Sequence, residues 1–231
     1  MNRFIKLQAY PWIMDKAVKN IGKIISTLKK LEISAYLDVS KTENPFRVLI
    51  ATVLSQRTRD ENTEIAAANL FRHYNTTKKL AYAPVKKVEV LIKRSGFYKT
   101  KAKRIIGISK SLLDDYNSKV PDTKEELMKL KGIGPKTANC VLVYGFGIKA
   151  IPVDTHVHRI SNRLGLVKTK TPEESEKALE KILPRRYWLP YNALLVSFGQ
   201  QICKPIKPEC WRCPVVKYCS YRKKNLKDKN R

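Results

Sequence analysis

Apolar positions recur at three- and four-residue spacing along most of the chain. Ile13, Ala17, Val18, Ile21, Ile24, Ile25, Leu28 and Leu31 form one such stripe and predict an amphipathic helix. Asn44-Pro45 reads as a cap followed by a helix-opening proline, leading into Phe46, Leu49, Ile50 and Val53. Asp60 is expected to cap the next helix, through Ile65, Ala68 and Phe71. Pro84 opens another that Gly96 stops, and a helix from about Thr100 carries Ile105, Ile106, Leu112 and Leu113. Thr123 with Glu126, and Thr171 with Glu174, have capping-box spacing. No segment sustains the alternation of a strand with hairpin turns, so the pattern predicts an all-α protein.

The chain has 231 residues, enough for one large domain or two small ones, and 43% are hydrophobic, enough for a core. Its apolar runs fall far short of the ~20 residues that a membrane helix needs. The first residues, MNRFIKLQAYPW, carry no signal-peptide pattern, so the expectation is a soluble cytoplasmic protein. There is no internal repeat, and only the basic tail SYRKKNLKDKNR reads as low-complexity and frayed.

The net charge of +27 changes this picture. Basic residues are spread along the whole chain and favour a polyanionic partner, nucleic acid before an anionic membrane surface. Thermophilic and highly soluble proteins also carry lysine-rich surfaces, but usually with matching acids, which are missing here.

The most informative segment is ELMKLKGIGPKTANCVLVYGF. A helix ends near Leu130, Gly132-Ile133-Gly134 makes a tight turn, and Pro135 starts the next helix. Two glycines permit positive φ angles and a close approach of backbone to a ligand. The N–H groups and positive dipole end of the second helix suit a phosphate, so the segment reads as a helix–hairpin–helix contacting a DNA backbone. Ile133 is expected to pack between the helices. Lys136 begins the second helix and is either a phosphate contact or a nucleophilic amine. Presenting a neutral amine at pH 7 costs roughly 4.6 kcal/mol for an ordinary lysine, a cost that a helix N-terminus and cationic neighbours reduce. Further on, in IPVDTHVHRISNRLG, Asp154 opens a helix as an N-cap, a role compatible with a catalytic one. His156 and His158 lie two apart and would point to different helix faces, which argues against a metal there.

Four of the five cysteines, Cys203, Cys210, Cys213 and Cys219, form C-x6-C-x2-C-x5-C within 17 residues. Cys140 lies in an apolar stretch and reads as core. A metal centre explains the four better than disulfides, and the spacing leaves zinc and a [4Fe–4S] cluster both open. Lys204 and Lys207 charge the loop between the first two cysteines, as phosphate contacts or as solvated side chains.

LKGIGPKTA, then VDTH, then the four-cysteine pattern resemble the endonuclease III branch of the helix–hairpin–helix DNA glycosylases, from about Asn44 to Cys219. VLSQRTRDENT and SGFYKTKAKRI resemble the family's two DNA-probing segments. The resemblance implies a helix–hairpin–helix glycosylase fold. It comprises a six-helix domain, here 38–148 with the hairpin at about 124–145, inserted into a cluster domain made of 1–37 and 149–231. DNA would lie in the cleft between them. It implies that Cys203, Cys210, Cys213 and Cys219 hold [4Fe–4S] in the loop 203–219, that Lys136 is the Schiff-base lysine of bifunctional members, and that Asp154 is the family's carboxylate. Arg57 falls where the family has an intercalating Gln, with Gln56 directly before it, and Phe97 falls at the opposite-strand wedge.

The implied activity is base-excision repair: removal of damaged, oxidised pyrimidines from double-stranded DNA, then AP lyase cleavage by β-elimination, by a monomer. Poorly stacked damaged bases are flipped out at lower cost. Two alternatives are a monofunctional mismatch glycosylase, against which Lys136 argues, and a non-catalytic DNA-binding module, against which Asp154 argues.

Overall fold

The computed structural model describes residues 19–31, 44–221 and 226, and no strand occurs among them. The chain divides into two compact units, one within 38–152, the other drawn from the chain's two ends, within 1–37 and 153–231. No helix among the described residues is long and apolar enough to cross a membrane.

Helix α1, Ile21–Lys30, buries Ile21, Ile24, Ile25 and Leu28, the second half of the predicted stripe. Ile13, Ala17 and Val18 lie outside the described residues.

In the 38–152 unit, Asn44 caps α2, Pro45–Ser55, accepting hydrogen bonds from the Phe46 and Arg47 amides, with Pro45 at the first helical position. Leu49, Ile50, Val53 and Leu54 are fully buried and make α2 the centre of this unit's core. Helix α3 is Asp60–His73. Arg59, not Asp60, holds its N-cap position, and Asp60 and Glu61 instead place negative charge in the first turn, where the helix dipole favours it. Thr76 caps the short α4, Thr77–Ala81, and Pro84 precedes α5, Val85–Leu91. Helix α5 ends well before Gly96, the expected stop. Helix α6, Tyr98–Asp115, begins two residues ahead of Thr100, because Phe97 turns the chain in a left-handed conformation. Thr123 caps α7, Lys124–Lys129, and accepts from the Glu126 amide. The Glu126 carboxylate does not return to the cap, since it is taken by the Tyr116 hydroxyl and the Lys129 ammonium. Helix α8, Pro135–Cys140, runs on through a π-helical turn, Val141–Gly145. Helix α2 packs against α3, α6 and α8, and α7 against α8.

In the other unit, α9, Thr155–Leu164, packs against α10, Pro172–Ile182, and α11, Trp188–Gln201, which also meets α1. Val157, Ile160, Leu179, Tyr191, Leu195 and Phe198 fill the space between them. Thr171 caps α10, accepting from the Glu174 amide, while the Glu174 carboxylate accepts from Lys170, one residue before the cap. After α11 the chain runs through two 3-10 turns, Cys210–Arg212 and Val216–Tyr218.

Candidate functional site

Leu127, Leu130 and Ile133 bury the inner face of the α7–α8 hairpin. Gly132 has φ +86 and uses the left-handed region that the turn needs. Gly134 is extended at φ −100, so only one of the two glycines is there for its sign of φ. A Cβ on Gly132 would meet the Arg104 guanidinium at 2.7 Å, whereas one on Gly134 would face open space, leaving that stretch of backbone approachable. Ile133 anchors the turn from inside: its side chain is buried and its amide donates to the Leu130 carbonyl. Lys136 is the second residue of α8, half-buried at the head of the helix.

Asp154 is the N-cap of α9, and its Oδ1 accepts from the Val157 amide at 2.8 Å. It stands two residues beyond the boundary between the units, so Lys136 and Asp154 belong to different ones. His156 meets Arg159 through Nδ1, while His158 meets Ser175 through its own, so the two rings serve separate hydrogen bonds.

Of the two segments that resemble DNA probes, the first closes α2 and the second opens α6, both in the 38–152 unit. Gln56 is fastened: its Oε1 accepts from Arg104 at 2.9 Å and its Nε2 donates to Thr137, the residue after Lys136, at 3.4 Å. Arg57 is exposed with φ +52, and Phe97 is 64% exposed with φ +58. A left-handed conformation costs a non-glycine residue about 1 kcal/mol or more, and such strain gathers at functional sites. Of Gln56 and Arg57, then, it is Arg57 that projects, beside Phe97.

Cys203, Cys210, Cys213 and Cys219 line one small recess, walled by Ile160, Leu164, Phe198, Ile202 and Val215. None of them is in a disulfide, and Cys140 is a buried core residue. Among the described residues, no three His, Cys, Asp or Glu are arranged to hold a single metal ion. Burial pushes the Cys213 thiol up to about 11, and the negative charges of Cys219, Cys203 and Cys210 add to the rise. Ionising all four together therefore calls for a compensating positive group between them, which fits a metal-containing centre. Arg163 donates to the Cys203 sulfur at 3.5 Å and to the Lys204 and Pro205 carbonyls at 2.8 Å each, holding the start of the loop to α9. Lys204 is ion-paired with Glu209, which also holds Arg212, whereas Lys207 is exposed at the loop's tip with φ +51.

Sequence reasoning missed two residues. Lys101 is 3% exposed, and its ammonium is enclosed by both probing segments. Arg104 bridges Gln56 to the hairpin at Gly132. A signal for the first was present: Lys101, Ile105, Ile108 and Leu112 share one helical stripe, which puts the lysine on the buried face.

Residues 50–185 match the HhH-GPD superfamily, described as base excision DNA repair proteins. Endonuclease III of Thermotoga maritima is 54% identical over 187 residues, 81% of this chain and 88% of that protein. Endonuclease III of Bacillus subtilis is 38% identical over 76% of this chain and 81% of its own. The solved structure of a trapped endonuclease III–DNA covalent intermediate superposes with TM-score 0.79 at 36% identity, covering 88% of this chain and 95% of that one.

Proposed function

The chain belongs to the endonuclease III family of the HhH-GPD superfamily, and from that premise we propose that it excises oxidised pyrimidines from duplex DNA and then cleaves the strand, with Lys136 as nucleophile and Asp154 as its carboxylate partner. The observation that carries this reading is the match to an endonuclease III caught covalently on DNA, together with Lys136 at the head of the helix that follows the Gly132–Pro135 turn.

The hairpin backbone at Gly132 and Gly134 grips a phosphate, with Ile133 as its internal anchor. Lys207 and the Lys204 loop, in the other unit, offer positive charge for backbone contacts of their own. Arg57 and Phe97 enter the stack as the damaged nucleotide swings out. The neutral Lys136 amine attacks the sugar C1′ as the bond to the base breaks and the base leaves with a proton. Asp154 stabilises the positive charge that develops on the sugar. The sugar ring then opens to a Schiff base between C1′ and Lys136 Nζ. Loss of a C2′ proton expels the 3′ phosphate, and water releases Lys136.

Cys203, Cys210, Cys213 and Cys219 would hold a [4Fe–4S] cluster, which supplies a rigid, charged cross-link for the loop 203–219. Excision and elimination transfer no net electrons, so no step passes through it.

The test is strand cleavage of duplex DNA carrying one oxidised pyrimidine. A bifunctional enzyme breaks the strand without added alkali. A break that appears only after hot alkali identifies a monofunctional glycosylase, and none in either case identifies a binding protein.

A further inference from the structure

Arg57 and Phe97 stand on a buried lysine to which the reaction above gives no part. Lys101 lies in the first turn of α6. Its three N–H donors are shared among four acceptors in reach: the Leu54 carbonyl at 2.7 Å, the Gln56 carbonyl at 2.6 Å, Thr58 Oγ1 at 2.8 Å and Ser95 Oγ at 2.9 Å. The two carbonyls belong to the end of α2, where orphan acceptors and the negative end of the helix dipole both attract a cation. The two hydroxyls come from different segments, one directly after Arg57 and one two residues before Phe97.

The same hydroxyls join the segments to each other. Thr58 Oγ1 accepts from the Gly96 amide at 3.0 Å and lies 3.4 Å from Ser95 Oγ, which donates to the Leu54 carbonyl at 2.9 Å. Gly96 closes the seam, since a Cβ there would stand 2.9 Å from the Arg57 carbonyl. The exposed pair is thus built on a buried junction with one ammonium at its centre.

We propose that Lys101 is a positioning residue that locks the Arg57 and Phe97 segments into a single register, and that this register sets the rate of base extrusion from duplex DNA. The second half rests on the glycosylase reading; the lock itself does not. An ammonium suits the place because it offers three donors from one point. A neutral amine offers two and turns a lone pair toward carbonyl oxygens. Burial lowers the Lys101 pKa to about 8, with Arg104 adding to the fall. The charged group that acts on it is Arg104 on its own helix, while the α2–α3 connection and the α5–α6 turn meet it with the neutral Thr58 and Ser95 hydroxyls. At pH 7 the amine is still charged and offers all three donors to the junction.

Two variants of the cluster-bearing protein test this. Lys101→Met removes the ammonium at similar length, and Thr58→Val keeps the ammonium but removes the bridging hydroxyl. Hydrogen exchange reads the lock without substrate. Residues 54–58 and 92–97 are expected to exchange faster together in both variants, with the α7–α8 hairpin unchanged. Acceleration of one segment alone, or of neither, overturns the lock. Excision from duplex DNA is expected to fall at least about tenfold, while borohydride trapping on single-stranded abasic DNA, which needs no extrusion, stays within about twofold. The ratio of duplex to single-strand activity is expected to be low in both variants. Equal loss on both substrates overturns the extrusion role. An unaltered protein that neither excises nor traps overturns the glycosylase reading, and with it the extrusion role, while hydrogen exchange still decides the lock. Should Lys101→Met fail to fold, Thr58→Val carries the same comparisons.

Discussion

The Arg57 guanidinium lies 5.9 Å over the ring of Phe97, and both residues hold left-handed backbone at the ends of segments that meet only in the folded chain. Each accepts strain to project a large side chain outward. Glycine at either position removes that strain but adds freedom to the unfolded chain, and the two effects nearly cancel. Arg57→Gly and Phe97→Gly are therefore expected to stay within about 1 kcal/mol of the unaltered protein in denaturant unfolding. Excision from duplex DNA is expected to fall at least about tenfold in each. A large loss of stability with excision intact would assign both residues to the fold instead.

The cap that Asp154 provides and the catalytic role proposed for it are separable. As a cap it accepts from the Val157 amide, which an asparagine oxygen also does. Asp154→Asn is expected to unfold within a few tenths of a kcal/mol of the unaltered protein, and Asp154→Ala about 1 kcal/mol below it. Both are expected to lose most base excision, because neither can stabilise a cationic sugar. Excision that tracks stability across the two variants would reduce Asp154 to a cap.

Two lysines of one loop are expected to differ in their contribution to DNA binding. Lys207 is exposed at the tip, whereas Lys204 is committed to Glu209, whose own carboxyl is held below its ordinary range by Lys204 and Arg212. Each neutralised phosphate contributes roughly −0.9 to the slope of log K against log salt. Lys207→Ala is expected to flatten that slope by about one, and Lys204→Ala by distinctly less. Equal changes would show that the Lys204–Glu209 pair opens on DNA.

The helix–hairpin–helix was legible because its determinants are local. Gly132 supplies a φ that few side chains tolerate, and Pro135 fixes the first residue of α8. The Asn44, Thr123, Asp154 and Thr171 caps are legible for the same reason, since an N-cap bonds only its own helix. Where the sequence misled, groups outside the motif had intervened. The Glu126 carboxylate is taken by Tyr116 and Lys129, and α6 begins early because of the turn at Phe97. Lys101 shares the apolar stripe of α6, which is local, but the acceptors around its ammonium come from the end of α2 and the α5–α6 turn, which no local window contains.

The purified protein is expected to be yellow-brown, from sulfur-to-iron charge transfer at the four thiolates. Replacing Cys213 by Ala is expected to abolish that absorption and destabilise the unit that contains α9 and α11, whose residues line the recess. A colourless protein with one zinc per chain, prepared with iron and without oxygen, would overturn the cluster assignment.

Lys136 is the residue proposed to form the covalent bond to the sugar. The most direct measurement of that role is borohydride trapping on abasic duplex DNA, comparing Lys136→Gln with Asp154→Asn. The ring-opened abasic aldehyde condenses with an amine without any base removal, so Asp154→Asn is expected to retain trapping. Lys136→Gln keeps similar length and polarity but cannot form an imine, and is expected to bind this DNA and trap none of it. Efficient trapping by Lys136→Gln, through some other amine, would contradict the account and leave Lys136 a phosphate contact.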